Sequence, residues 1–342
     1  MIIVYVRIRK KSSVKRLFEV KLLNREETMS KVKIMGDCAL CKKKNVELMQ
    51  SHIIPKAIYK RTKTYENSRF REFYEPQKIY QDGEKKPMLC HECEEFFSWY
   101  ETKFSNQFLD KYLTAPNAKL PNVTEDIEFY ILTVAWRILY DDLYVYNSFS
   151  DDIERDCLVE YESKLGKFIY ERYIEENPTE VNTRTVIEEP NLEDKCFGEI
   201  IAEIEKWKRN SSPEDMSEIK NYIYKLSDLG FSEAVTRLFD SMIFGYSFYN
   251  STRTKYYIIS GYKGLIITTV FLRKRSVLIT DDKNLLRKAR KSEKIIKEEI
   301  TEEITCLLSE MSSRYSEVQE KLDRNGLREK IEKRYEGKQK LR

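Results

Sequence analysis

A chain of 342 residues with 41% hydrophobic content can bury sizeable cores, and two or three domains are the default. Its 23 Tyr and 16 Phe exclude a disordered polymer, even with 35% charged residues. The net charge of +4 carries no argument for a nucleic-acid partner, since residues 1–28 alone hold eight Lys/Arg against three Glu and leave the rest at −1.

In chain order, Val4, Val6 and Ile8 alternate like one strand before basic residues take over. Residues 1–34 read as a basic N-terminal extension, either a true basic arm or sequence ahead of a start at Met29. The apolar run Ile2 to Val6 precedes the basic residues, the reverse of a signal peptide. The longest apolar stretch, Phe129 to Tyr140, contains Arg137 and predicts a buried helix rather than a membrane span. A cytoplasmic protein without membrane contact is expected.

A first unit is expected over 35–115, and a helical C-terminal region over 122–342, with Pro116 and Pro121 between them. Ile127 to Tyr146 is apolar nearly all round, so that helix should sit centrally. Ser150-Asp151-Asp152 starts a further helix carrying Ile153, Cys157, Tyr161, Leu165 and Phe168, which Pro178 stops. Residues 179–192 read as loop, and Phe197, Ile200, Ile204 and Trp207 as another helix. Ser212-Pro213-Glu214 predicts a helix running through Ile219 and Ile223 to Gly230. A short helix follows with Val235, Leu238, Phe239 and Met242.

The pattern then changes: β-branched and aromatic residues around Gly261-Tyr262-Lys263-Gly264 predict a β-hairpin near 255–272. From Asp281 onward a long, charged C-terminal helix is expected. Ile300, Ile304, Leu307 and Met311 keep a core spacing that Arg314 breaks, so the helix should pack on its own domain rather than form a coiled coil. The fold class is therefore α+β and mostly helical.

The chemistry concentrates between Cys38 and Cys93. Two Cys-x-x-Cys pairs, Cys38/Cys41 and Cys90/Cys93, stand 48 residues apart, while Cys157, Cys196 and Cys306 are scattered singly. An odd cysteine count and no secretory leader point to a reducing compartment, where paired cysteines read as metal ligands. Two such turns complete a tetrahedral zinc site with no open position, so the Zn2+ should be structural. Catalysis, if any, must come from other residues.

Both histidines lie in this stretch, His52 in Ser51-His52-Ile53-Ile54-Pro55 and His91 between Cys90 and Cys93. On the helix after Cys93, Phe97, Tyr100, Phe104 and Phe108 form a core stripe, with Glu94, Ser98, Glu101 and Ser105 beside it. Glu94 and Glu101 lie about 10 Å apart along that axis, too far to grip one ion together. Glu101 reads as a solvated charge, and Glu94 either as solvated or as a ligand. His91 should be exposed. Lys56, Lys60, Arg61, Lys63, Arg69 and Arg71, interleaved with Tyr59, Tyr65, Phe70, Phe73, Tyr74 and Tyr80, form either a nucleic-acid face or a solvated insertion.

The two cysteine pairs with His-Ile-Ile-Pro between them resemble the zinc-bearing HNH endonucleases, over about residues 37–105. The resemblance implies a small treble-clef zinc unit stapling a ββα element. It implies DNA as partner and phosphodiester hydrolysis with Mg2+ or Mn2+. His52 would be the general base, unless it is a packing histidine of the zinc unit. Three positions depart from the family pattern. Ser51 stands where an acidic residue, Asn or His is usual. Lys85-Lys86-Pro87-Met88 occupy the place of the middle Asn. Glu94 replaces the last His or Asn, and a carboxylate can hold such an ion. The alternative is a non-catalytic zinc-binding module for DNA or a protein partner. The helical C-terminal region would supply targeting, a protein partner or a homo-oligomer contact, or would itself be the working part.

Overall fold

The computed structural model describes residues 4–6, 33–63, 69–73, 75–116, 118–146, 152–177, 219–250, 254–272, 293–324, 326–330 and 332–333. It divides into two compact units that do not follow chain order. The first gathers Met1–Ile8, Ile54–Glu84 and Glu218–Arg342, the second Arg9–Ile53 and Lys85–Ser217. Residues 54–84, expected inside the 35–115 unit, therefore cluster with the C-terminal third. The expected loop at 179–192, the helix around Phe197 to Trp207 and the Ser212-Pro213 cap lie outside the described residues.

In the first unit, β1 (Val4–Val6), β5 (Phe70–Glu72), β6 (Ile79–Tyr80), β8 (Ile219–Lys225), β9 (Met242–Tyr249), β10 (Lys255–Tyr262) and β11 (Leu265–Leu272) form one sheet. Its order is β6-β5-β1-β9-β10-β11-β8. β1 runs parallel to both β5 and β9, and the other neighbours are antiparallel. The N-terminal segment thus contributes a strand between β5 and β9.

The hairpin expected near 255–272 is β10 and β11, turning through Lys263 (φ 53) and Gly264 (φ 72). Two consecutive positive φ values give a turn whose twist matches the strands it joins. Around this hairpin the sheet is larger than the sequence suggests. The helix expected through Ile219 and Ile223 is instead β8, with Ile223 paired to Ile267. A spacing of four puts two side chains on one face of a strand as well as of a helix, so Ile219 and Ile223 alone do not distinguish the two. Likewise Met242 belongs to β9, because the helix ends at Phe239.

Residues Phe244, Phe248, Tyr257, Ile259, Ile266 and Val270 of the sheet pack with Ile296, Ile300, Ile304, Leu307 and Met311. The last five lie on one helix, Glu293–Ser313, followed after Arg314 by a second, Tyr315–Arg324. Lys255, Asn250 and Tyr257 all bond Glu299 of the longer helix, so these three buried polar groups are paired.

The second unit holds two short antiparallel pairs, β2 (Met35–Gly36) with β3 (Val46–Glu47) and β4 (Met49–His52) with β7 (Lys85–Leu89). Helices α2 (His91–Phe104), α4 (Glu125–Tyr140) and α5 (Asp152–Glu176) pack beside them, with the short α3 (Asp110–Thr114) between α2 and α4. Phe97, Tyr100, Phe104 and Phe108 are fully buried, as their spacing predicts. α4 is buried from Ile127 to Leu139 except at Glu128, and continues into a π-helical turn, Asp141–Tyr146. Among the described residues no helix is long and apolar enough to cross a membrane.

Candidate metal centre and its hairpin

The first cysteine pair sits in a tight turn after β2. Cys38 N–H bonds the Lys43 carbonyl at 2.9 Å, and Lys42 takes a left-handed φ of 59. Ala39 N–H reaches the Met88 carbonyl at 2.9 Å, which ties this turn to β7. β7 then delivers the second pair to the start of α2, where Cys90 caps the helix and Cys93 lies in its first turn. A helix N-terminus favours negative charge, so it suits thiolates.

The four sulfur ligand atoms lie within 4.8 Å of one another, and all four residues are buried. Cys41 Sγ and Cys90 Sγ are 3.7 Å apart, and Cys90 N–H points at Cys38 Sγ at 3.3 Å. A disulfide needs about 2.05 Å, whereas Zn–S bonds of about 2.3 Å set the edges of a tetrahedron near 3.8 Å. The cluster could therefore hold a metal such as zinc. The neighbouring Cys41 side chain pulls the Cys38 thiol below its ordinary range, while the Cys38 sulfur pushes the Cys93 thiol above it. Four thiolates this close need a cation to share their charge.

Beside the cluster, Ser51 Oγ donates to Glu94 Oε2 at 2.6 Å. The residue before His52 thus meets the residue after Cys93, across 43 positions of chain. Ser51 is buried and Glu94 half-buried. His52 ends β4 opposite Lys85, is half-buried, and its Nε2 is enclosed. Consecutive strand side chains leave on opposite faces, so the His52 ring departs on the face away from Ser51. His91 is exposed, with Nε2 3.3 Å from Glu95.

Arg137 of α4 is wholly buried. Its Nη1 donates to the His52 carbonyl at 2.9 Å and to Glu101 Oε1 at 2.8 Å, and its guanidinium lies 5.1 Å from the Phe97 ring centre. Glu101 is thus paired rather than solvated, which corrects the sequence expectation. Helical periodicity places Glu101 beside Glu94 but does not reveal what a neighbouring helix brings to it. Burial pushes the Glu101 carboxyl above its ordinary range, and the Arg137 charge opposes that shift. One turn beyond Arg137, buried Asp141 pairs with Lys86 of β7 at 3.1 Å. The sequence shows Lys86 only at the place of the family's middle Asn, and Asp141 only by its spacing of four from Arg137.

The basic candidates Lys56, Lys60, Arg61, Lys63, Arg69 and Arg71 all fall in the first unit, not in the unit that carries the cysteines. Lys56 pairs with Asp82 at 3.5 Å, and Arg71 donates to the Pro76 carbonyl at 2.7 Å. Their aromatic neighbours Tyr59 and Phe70 are fully buried against each other, edge to face at 5.0 Å. Those two rings are core and have no open face on which a base could stack. Tyr65 and Tyr74 lie outside the described residues. No protein-family model, curated protein or solved structure matches this chain.

Proposed function

We propose that the cysteine cluster holds a structural zinc ion in a treble-clef-like unit, and that the adjoining β4/β7 strand pair and α2 form an HNH-like endonuclease site acting on DNA. The observation that carries this reading is the Ser51–Glu94 hydrogen bond. It joins the two positions that flank His52 and Cys93, the pair the family resemblance uses to hold a catalytic ion. Glu94, with Ser51 beside it, is the candidate ligand set for Mg2+ or Mn2+. Such an ion would supply charge stabilisation at the phosphate and the leaving oxyanion. His52 would accept a proton from water as that water's oxygen bonds to phosphorus and the P–O bond to the leaving group breaks.

Two observations favour a second reading, a non-catalytic zinc module that binds DNA or a protein partner. The enclosed Nε2 narrows access to the ring, and strand alternation turns the ring away from Ser51. Plasmid incubated with Mg2+ or Mn2+ separates the two. A nuclease loses about 10²- to 10⁴-fold in rate on His52→Ala, the usual contribution of a general base. Equal behaviour of wild type and His52→Ala removes His52 from any mechanism. Salt-dependent DNA binding without cleavage supports the module instead.

A further inference from the structure

We propose that Arg137 is a positioning residue for His52, and that α4 belongs to the working part of the site rather than to a scaffold. This rests on the nuclease reading above. Arg137 of α4 and Asp141, the first residue of the π-helical turn that continues it, lie four residues apart, and each is buried. Arg137 holds β4 through the His52 carbonyl, and Asp141 holds β7 through Lys86. α4 and its π-helical continuation therefore fasten both strands of the antiparallel β4/β7 pair that carries His52.

The Nη1 atom of Arg137 has two hydrogens and uses both, one on the His52 carbonyl and one on Glu101. Glu101 lies two turns after Glu94 on α2 and faces the same way. The end of β4 is thereby fixed to the helix face that presents Glu94. This sets where the imidazole stands relative to that carboxylate.

Stability alone does not account for the arrangement. Nη2 of Arg137 is buried without a hydrogen-bond partner, and Nε reaches the Thr133 carbonyl only at 3.4 Å. A buried ion pair with an unsatisfied arm is often no more stable than apolar side chains of the same volume. What it supplies is a fixed direction for two acceptors on different elements, which a planar guanidinium does well and an ammonium does not.

The test uses the full chain labelled on its histidine rings with 15N. The chain has two histidines, so His52 is read directly, with exposed His91 as internal control. In Arg137→Gln the His52 ring resonances shift and those of His91 stay. Plasmid cleavage falls by about 10- to 100-fold, the cost of misplacing a reacting group by roughly 1 Å, while bound metal per chain is unchanged. Arg137→Lys, which keeps the charge but lacks the rigid planar fork, falls between Arg137→Gln and wild type.

If Arg137→Gln does not fold, the double variant Arg137→Met/Glu101→Met replaces it, since it removes both buried charges together. A folded variant with wild-type His52 resonances and wild-type cleavage overturns the proposal. If the wild type cleaves nothing, the nuclease reading is lost and the His52 resonances alone decide the clamp: unmoved in the folded variant, they overturn it.

Discussion

The seven-stranded sheet and the β4/β7 strand pair beside the cysteines are held together by different forces. In the sheet, β10 is buried along its whole length, and five apolar residues of the long helix pack on the same core as nine residues of the strands. Burial at about 25 cal/mol per Å2 accumulates there without any ion. The β4/β7 pair has strands of four and five residues, and the hub beside it is four thiols. Pairs of strands that short are marginal on their own. The contrast teaches that the sheet should be indifferent to metal and the β4/β7 strand pair with its cysteine turns dependent on it.

Stripping the metal breaks that comparison most sharply. Cys93→Ser, or a strong chelator, should lose binding free energy on the order of 10 kcal/mol. Hydrogen exchange should then speed up in 38–53 and 85–93 while β9, β10 and β11 keep their protection. Equal loss of protection in both units would refute metal-specific dependence. The converse experiment is Phe244→Ala, which empties a fully buried ring from the sheet. It should cost about 3–5 kcal/mol in chemical denaturation and leave the metal content unchanged.

A smaller effect is expected at Gly261. A Cβ there would meet the Phe244 ring carbon Cζ at 2.1 Å, and that ring is itself buried. Gly261→Ala should therefore destabilise the sheet by about 1–3 kcal/mol through overpacking. A neutral result in urea titration would mean that the ring can move aside.

The smallest prediction concerns pH. Burial lowers the Lys167 pKa from 10.5 to about 8. Between those values the unfolded chain binds the extra proton, so stability rises with pH across that window. Lys167→Met should flatten the rise in Tm between pH 8 and 10. Parallel Tm curves for the two proteins would show that Lys167 is solvated instead.

Much of this was legible in the sequence wherever local pattern and local chemistry coincide. The spacing of Phe97, Tyr100, Phe104 and Phe108 identified the buried stripe of α2, and Ile300, Ile304, Leu307 and Met311 the packing face of the long helix. Gly264, at φ 72, marked the turn of the hairpin. β8 was missed because Ile219 and Ile223 fit either period, and only pairing with β11 decides between them. Tyr59 and Phe70 could not be told from stacking rings, since composition does not say which face is covered.

The sequence by itself determined the ligand set: two Cys-x-x-Cys turns bring their own sulfurs together, and that geometry is local. It also determined the α+β class and the candidate imidazole. Tertiary structure alone decided that the four sulfurs share one point, that Ser51 meets Glu94, and that Arg137 and Asp141 hold the β4/β7 pair. Each of these contacts joins residues far apart in the chain, where spacing carries no information and packing sets the distance.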